Sequence, residues 1–152
     1  MSWRRSTAAR CAGSMTGRPA SAPPRLPDAA KRWLDEGTHV TVGTIGADGR
    51  PHLSVVWATY DGDDVLFSTL TARRKYRNLT ADPNVSVLWF PKDDPLTYVE
   101  VRGTATTSAD GAIELIERLA RTYVGRPYRE VPGDVVRVTV RIRPVSVVFS
   151  SR

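Results

Sequence analysis

The stretch THVTVGTIGADGRPHLSVVWATYDGDDVLFST, residues 38–69, decides the fold. Its apolar residues recur at every second position and not at helical spacing, which is the signature of strands. Val40, Val42 and Ile45 lie in a first strand, Leu53 to Tyr60 form a second, and Val65 to Thr69 form a third. ADGRP and DGDD between them carry the Asp-Gly chemistry of tight turns. Three strands joined by short turns predict an antiparallel meander.

The chain on either side extends this pattern. LPDAAKRWLDEG, 26–37, reads as a helix capped by Asp28, with Ala30, Trp33 and Leu34 as its apolar stripe and Gly37 as its stop. TARRKYRNLTADPN, 71–84, reads as a short helix with Thr71 as N-cap, Tyr76 and Leu79 on one face, and Asp82-Pro83 as terminator. VSVLWF is a strand and PKDDP a loop, and LTYVEVRGTATT is a long strand in which Gly103 marks a bulge or a close approach. SADGAIELIERLARTYVG is an amphipathic helix with Ile113, Ile116, Leu119 and Ala120 inward, closed by Gly125. After the loop RPYREVPGD, the segment VVRVTVRIRPVSVVFS predicts two strands broken at Pro144, with Arg137, Arg141 and Arg143 pointing outward. The count is about seven strands and three helices, mainly β with flanking helices. Short antiparallel strands of this kind favour a small closed or half-open barrel, which removes exposed edges.

The 152 residues suit one domain, which the sequence places at 28–152. Residues 1–27 are rich in Ser, Ala, Pro, Gly and Arg without an apolar period, and are expected to be disordered. Met15 is an alternative start, which would make residues 1–14 an upstream extension that includes the single cysteine, Cys11. One cysteine and no secretory apolar core imply a reducing, cytoplasmic setting. No apolar run approaches the roughly 18 residues of a membrane helix, so no membrane partner is expected. The net charge of +6 sits mostly at the N-terminus. Residues 1–37 carry seven Lys/Arg against three Asp/Glu, and the rest 15 against 13. A nucleic-acid binder concentrates its charge on the folded body, so that partner is not expected either.

Residues able to do acid–base or nucleophilic work are few. The two histidines are His39 and His52, and no His/Cys/carboxylate cluster has metal spacing. His52 and Ser54 share a strand face, but no third group completes a hydrolytic dyad. Any chemistry therefore falls to a cofactor, for which the protein supplies a pocket, orientation and charge. STLTARRKYRNL, 68–79, is where such a group would sit. Arg73 and Lys75 lie at a helix start, where free N–H groups and the helix dipole favour an anion, and Ser68 and Thr69 add hydroxyls from the strand end. Arg74 and Arg77 fall elsewhere on the circumference, as a solvated face or as further anion contacts.

Two motifs carry a resemblance. T-I-x-x-D-G-x-P-x-x-S at 44–54 and R-x-K-x-x-N-L-x-x-D-P at 73–83, followed by YVEVRGTA, resemble the pyridoxamine 5'-phosphate oxidase-like superfamily. The chain looks closest to its actinobacterial branch of deazaflavin-dependent oxidoreductases, which use coenzyme F420. The resemblance spans about residues 28–150. It implies an antiparallel split β-barrel that forms a homodimer, with two cofactor sites at the interface. It also implies that Arg73 and Lys75 hold the cofactor phosphate beside Ser68 and Thr69. His52, Leu53 and Ser54 match the strand that passes the ring, and Leu96 and Tyr98 match the part brought by the second subunit. His52 replaces an amide of some relatives, and Leu96 a tryptophan, so ring contacts are expected to differ. The implied activity is hydride transfer between reduced F420 and an unsaturated small molecule, with His52 and Tyr98 as candidate proton donors and no metal. FMN as the cofactor, in an oxidase or flavin reductase of the same fold, is the alternative. A non-catalytic protein holding F420, FMN or a tetrapyrrole is the third reading.

Overall fold

The computed structural model describes residues 22–129, 133 and 135–151. Residues 1–21, including Cys11 and Met15, and most of the 130–134 loop lie outside the described residues. In chain order the elements are α1 (Asp28–Asp35), β1 (Val40–Ile45), β2 (Pro51–Val56), β3 (Ala58–Asp61), β4 (Asp64–Leu70), α2 (Arg74–Ala81), β5 (Asn84–Trp89), β6 (Tyr98–Ser108), α3 (Ala112–Val124) and β7 (Arg137–Ser150).

All seven strands form one antiparallel sheet in the order β2-β1-β5-β6-β7-β4-β3. β2 and β3 are its two edges, yet only Trp57 separates them in the chain. One continuous segment therefore lies along both edges, and the sheet must curl until those edges approach each other. The result is a barrel split at Trp57. The expected single strand from Leu53 to Tyr60 is thus two strands with different partners: β2 pairs with β1, and β3 pairs with β4. The turns before β2 and β4 place Gly49 and Gly62 at φ of 79° and 61°, a region that glycine enters without a Cβ penalty.

The barrel interior is filled by Trp89, Phe67 and alternating valines of β1, β5, β6 and β7. α1 closes one end, and the buried Trp89 Nε1 donates to the Ala30 carbonyl at 3.0 Å. Leu26 is buried with them, and its N–H donates to Asp63 Oδ1 at 3.0 Å. The packed body therefore begins upstream of residue 28, inside the segment expected to be disordered. Asp28 is not the cap of α1. Pro27 holds that position without a side-chain bond, and Asp28 lies in the first turn, where its charge complements the dipole.

Pro144 does not break β7, a strand of 14 residues that runs through it to Ser150. Arg102 pairs with Ser146 and Gly103 with Pro144, so Val145 is an extra residue and the ladder bulges at the proline. Gly103 is needed there because a Cβ would lie 2.3 Å from the Arg143 carbonyl oxygen. α3 lies over β4 and β7, burying Leu115 and Leu119 against Leu66 with Trp57 and Tyr123 alongside. Leu115 takes the inward place expected of Ile113, which is 52% exposed because it faces away from the sheet. Among the described residues, no helix is long and apolar enough to cross a membrane.

Candidate functional site

β4 ends at Leu70, and the chain turns into α2 within four residues. Thr71 does not cap that helix. Its N–H is engaged with the Val136 carbonyl at 2.9 Å, and Arg73, with extended backbone, is the N-cap residue. The Tyr76 and Arg77 N–H groups both reach the Arg73 carbonyl, at 3.2 and 3.3 Å. Arg74 and Lys75, the first two helical residues, have N–H groups without an intrahelical acceptor. No side chain caps them.

At this helix start lies a cavity of about 320 Å³. It gathers Ser68 and Thr69 from the end of β4, Arg73 and Lys75 from the start of α2, Arg137 from β7, and Trp57 from the split. Arg73 is exposed and Lys75 half-buried. Burial, and next the neighbouring Arg73 charge, hold the Lys75 ammonium below the ordinary lysine range. Among the described residues no carboxylate pairs with either cation. Two like charges, one of them partly desolvated, are thus aimed at a helix N-terminus without a protein counter-charge. That arrangement is costly unless an anion neutralises it, and the residues fit a phosphate group.

Arg137 belongs to this site, although its alternation along β7 suggested an outward position. It is 9% exposed, and its guanidinium donates to Ser68 Oγ at 2.9 Å and to the Tyr128 hydroxyl at 2.8 Å. The face of β7 that carries it lies under α3, not in solvent. Arg141, four residues on, turns to the acidic hairpin and donates to Asp61 and Asp64, each at 2.9 Å. Of the three arginines expected outward, only Arg143 is exposed.

Arg74 and Arg77 lie on another side of α2. They border a separate cavity of about 370 Å³ with Ile45, Gly46 and Asp82. The buried Asn78 of the same helix donates from Nδ2 to Thr44 Oγ1 at 3.0 Å, which pins α2 to β1.

The remaining expected residues are spread over two faces. His52 and Ser54 stand opposite Thr44 and Val42 and share their inward face, and both His52 Nδ1 and Ser54 Oγ are buried without a partner. Leu53 points the other way and is 66% exposed, together with Val55 at 64%. Val55 lines the cavity, whereas His52, Leu53 and Ser54 do not. Leu96, just before β6, and Tyr98, at its start, do not line it within one chain either. Among the described residues, no group of three or more His, Cys, Asp or Glu side chains could hold a metal ion.

The fold has counterparts among known proteins. A solved structure described as an F420 reductase is 30% identical, covers 81% of this chain and 98% of its own, and superposes with a TM-score of 0.70. A conserved hypothetical protein of Mycobacterium tuberculosis is 23% identical over 86% of this chain and 88% of its own, with a TM-score of 0.67. A putative pyridoxamine 5'-phosphate oxidase of Listeria innocua is 18% identical over 78% and 92%, with a TM-score of 0.61. No curated protein sequence matches the chain. The model of the pyridoxamine 5'-phosphate oxidase family matches residues 26–150, nearly the whole described body, and the chain belongs to that family.

Proposed function

We infer that the protein is an oxidoreductase that binds F420 and acts on an unsaturated small molecule in the cytoplasm. The observation that carries this reading is the half-buried Lys75 beside Arg73, at a helix start, with no carboxylate to neutralise them. The 30% identity to a structure described as an F420 reductase supports the choice of cofactor. Arg73 and Lys75 would hold the phosphate, with Ser68 and Thr69 offering hydroxyls beside it. When bound, the reduced cofactor supplies a hydride which, with one proton, saturates a double bond of the substrate and leaves the cofactor oxidised by two electrons. The chain's own residues bind, orient and exclude water. His52 and Tyr98 are the side chains we assign as candidate holders of the proton, and solvent is the other source.

A cavity of about 320 Å³ is near the lower end of ligand pockets, about 300–1,000 Å³. It accommodates the phosphate end of a cofactor better than a whole one. The apolar side chains left exposed on β2, Leu53 and Val55, and on β7, Val145 and Val148, would be covered by a second copy of the chain. That copy would bring Leu96 and Tyr98 to the ring. Fluorescence titration of F420 against FMN on one preparation tests the cofactor. Tighter binding of F420 is expected, and a yellow protein that prefers FMN would replace the assignment. Sedimentation velocity tests the assembly: a dimer is expected, and a monomer that binds cofactor stoichiometrically would overturn it.

A further inference from the structure

Trp57 borders two cavities, the phosphate cradle and a second one of about 670 Å³ beside it. The second is well within the size range of ligand pockets. Ala120 and Val124 of α3 form an apolar floor, Trp57 and Tyr128 are aromatic walls, and Arg126 and Arg129 complete the lining.

Both aromatic walls are held by the framework. The Trp57 indole stacks on Tyr123 with ring centroids 5.5 Å apart and planes 15° from parallel. Tyr123 is itself fixed, because its hydroxyl accepts from the Ala58 N–H at 3.1 Å and donates to the Thr38 carbonyl. The Tyr128 ring lies under the Arg137 guanidinium, 4.8 Å from its centroid, and its hydroxyl accepts from the same group. Because Arg137 also donates to Ser68, one buried side chain ties the wall of this cavity to the cradle. The two cavities therefore share a rigid frame but not a lining, Trp57 apart.

Fixed aromatic walls over an apolar floor select a flat apolar body. Arg126 and Arg129 are exposed, and neither has an ion pair or side-chain hydrogen bond among the described residues. Their planar forks match carboxylates. We propose that this second cavity is a ligand pocket beside the phosphate site and that it takes a flat, conjugated carboxylate. The assignment rests on the reading of the first cavity as the cofactor's phosphate site.

The test uses the full chain and two probes of the same shape, 2-naphthoate and the neutral 2-naphthamide, titrated by calorimetry with and without saturating F420. Naphthoate is expected to bind about tenfold or more tightly than the amide, as removal of a charge-assisted contact implies. The double variant Arg126→Gln/Arg129→Gln should lose that advantage, whereas Lys75→Ala should keep it. Saturating F420 should leave it in place. Equal affinity of the two probes, or no binding of either, would overturn the proposal. So would loss of naphthoate binding in Lys75→Ala alone, which would put the probe in the cradle. Competition by F420, with weaker F420 binding in the double arginine variant, would give the cavity to the cofactor instead. Naphthoate discrimination needs no cofactor, so a failure of the F420 reading shows separately, in the F420 titration alone.

Discussion

Two sides of α2 carry two pairs of cations of nearly the same composition. Arg73 and Lys75 open onto the end of β4, where the free N–H groups of the helix, two hydroxyls and Arg137 converge. Arg74 and Arg77 open onto the β1–β2 turn, beside Asp82. Burial singles out Lys75, which is half-buried while Arg73, Arg74 and Arg77 are exposed. A run of positive charge is therefore not one feature. What would make part of it an anion site is the coincidence of cations with unsatisfied backbone donors in a partly desolvated place, where charge-assisted bonds are stronger.

The largest expected effect breaks the comparison if it fails. Arg73→Ala or Lys75→Ala each removes a charge-assisted hydrogen bond, worth ~1.5–3 kcal/mol. Cofactor affinity should then fall roughly tenfold to a hundredfold. Arg74→Ala and Arg77→Ala should each change it by about threefold or less, because they open onto a different cavity, beside Asp82. A fluorescence titration of the four variants decides. Equal losses in all four would show a diffuse basic face. The losses at Arg73 and Lys75 should also shrink with a cofactor analogue that lacks the phosphate.

The next effect sharpens the same contrast on β7. Arg137 and Arg141 stand four residues apart on one strand, but Arg137 serves the cradle and Arg141 braces the β3–β4 hairpin. Arg137→Ala leaves the Ser68 and Tyr128 hydroxyls without a buried donor, and should cost about 2 kcal/mol of stability as well as cofactor affinity. Arg141→Ala removes two ion pairs that are partly open to solvent, and should cost about 0.5–1 kcal/mol with cofactor binding intact. Urea unfolding and the cofactor titration, run on both variants, separate the two roles.

These contrasts also show which parts of the molecule could be read from the chain. The three helices, most of the strands and the meeting of Arg73 and Lys75 with Ser68 and Thr69 were legible because each depends on residues close in sequence. From Ser68 to Lys75 the chain merely ends a strand and begins a helix. The break at Trp57 was hidden, because the apolar and β-branched residues on both sides continue one pattern, and only the change of strand partner reveals it. Arg137 was hidden for a related reason. Alternation shows that Arg137 and Arg141 share a face, but not that α3 covers it. A signal did exist: the apolar stripe of α3 needs a sheet face to cover, and Leu66 and Leu70 lie on the same face of β4 as Ser68. The register that sets Arg137 opposite Leu70 is long-range, and no local pattern encodes it.

The smallest effect has the opposite sign from the others. In the free protein Lys75 is partly desolvated and repelled by Arg73, which holds its pKa below the ordinary lysine value. Between the lowered value and the ordinary one, the unfolded chain binds more protons than the folded one, so stability rises with pH across that window. At neutral pH both states are protonated and the whole penalty is present. Lys75→Met keeps the length of the side chain and removes the charge, so the cofactor-free protein should melt at the same temperature or slightly higher. Its advantage over the wild type should fade as the pH rises through the window. With the cofactor present the order should reverse at neutral pH, because the ligand stabilises the form that binds it and the methionine variant binds it weakly. Thermal melts at neutral and alkaline pH, each with and without cofactor, measure all of this. If Lys75→Met instead lowers the melting temperature of the free protein as Arg141→Ala does, then Lys75 is a structural cation and the two sides of α2 differ in exposure alone.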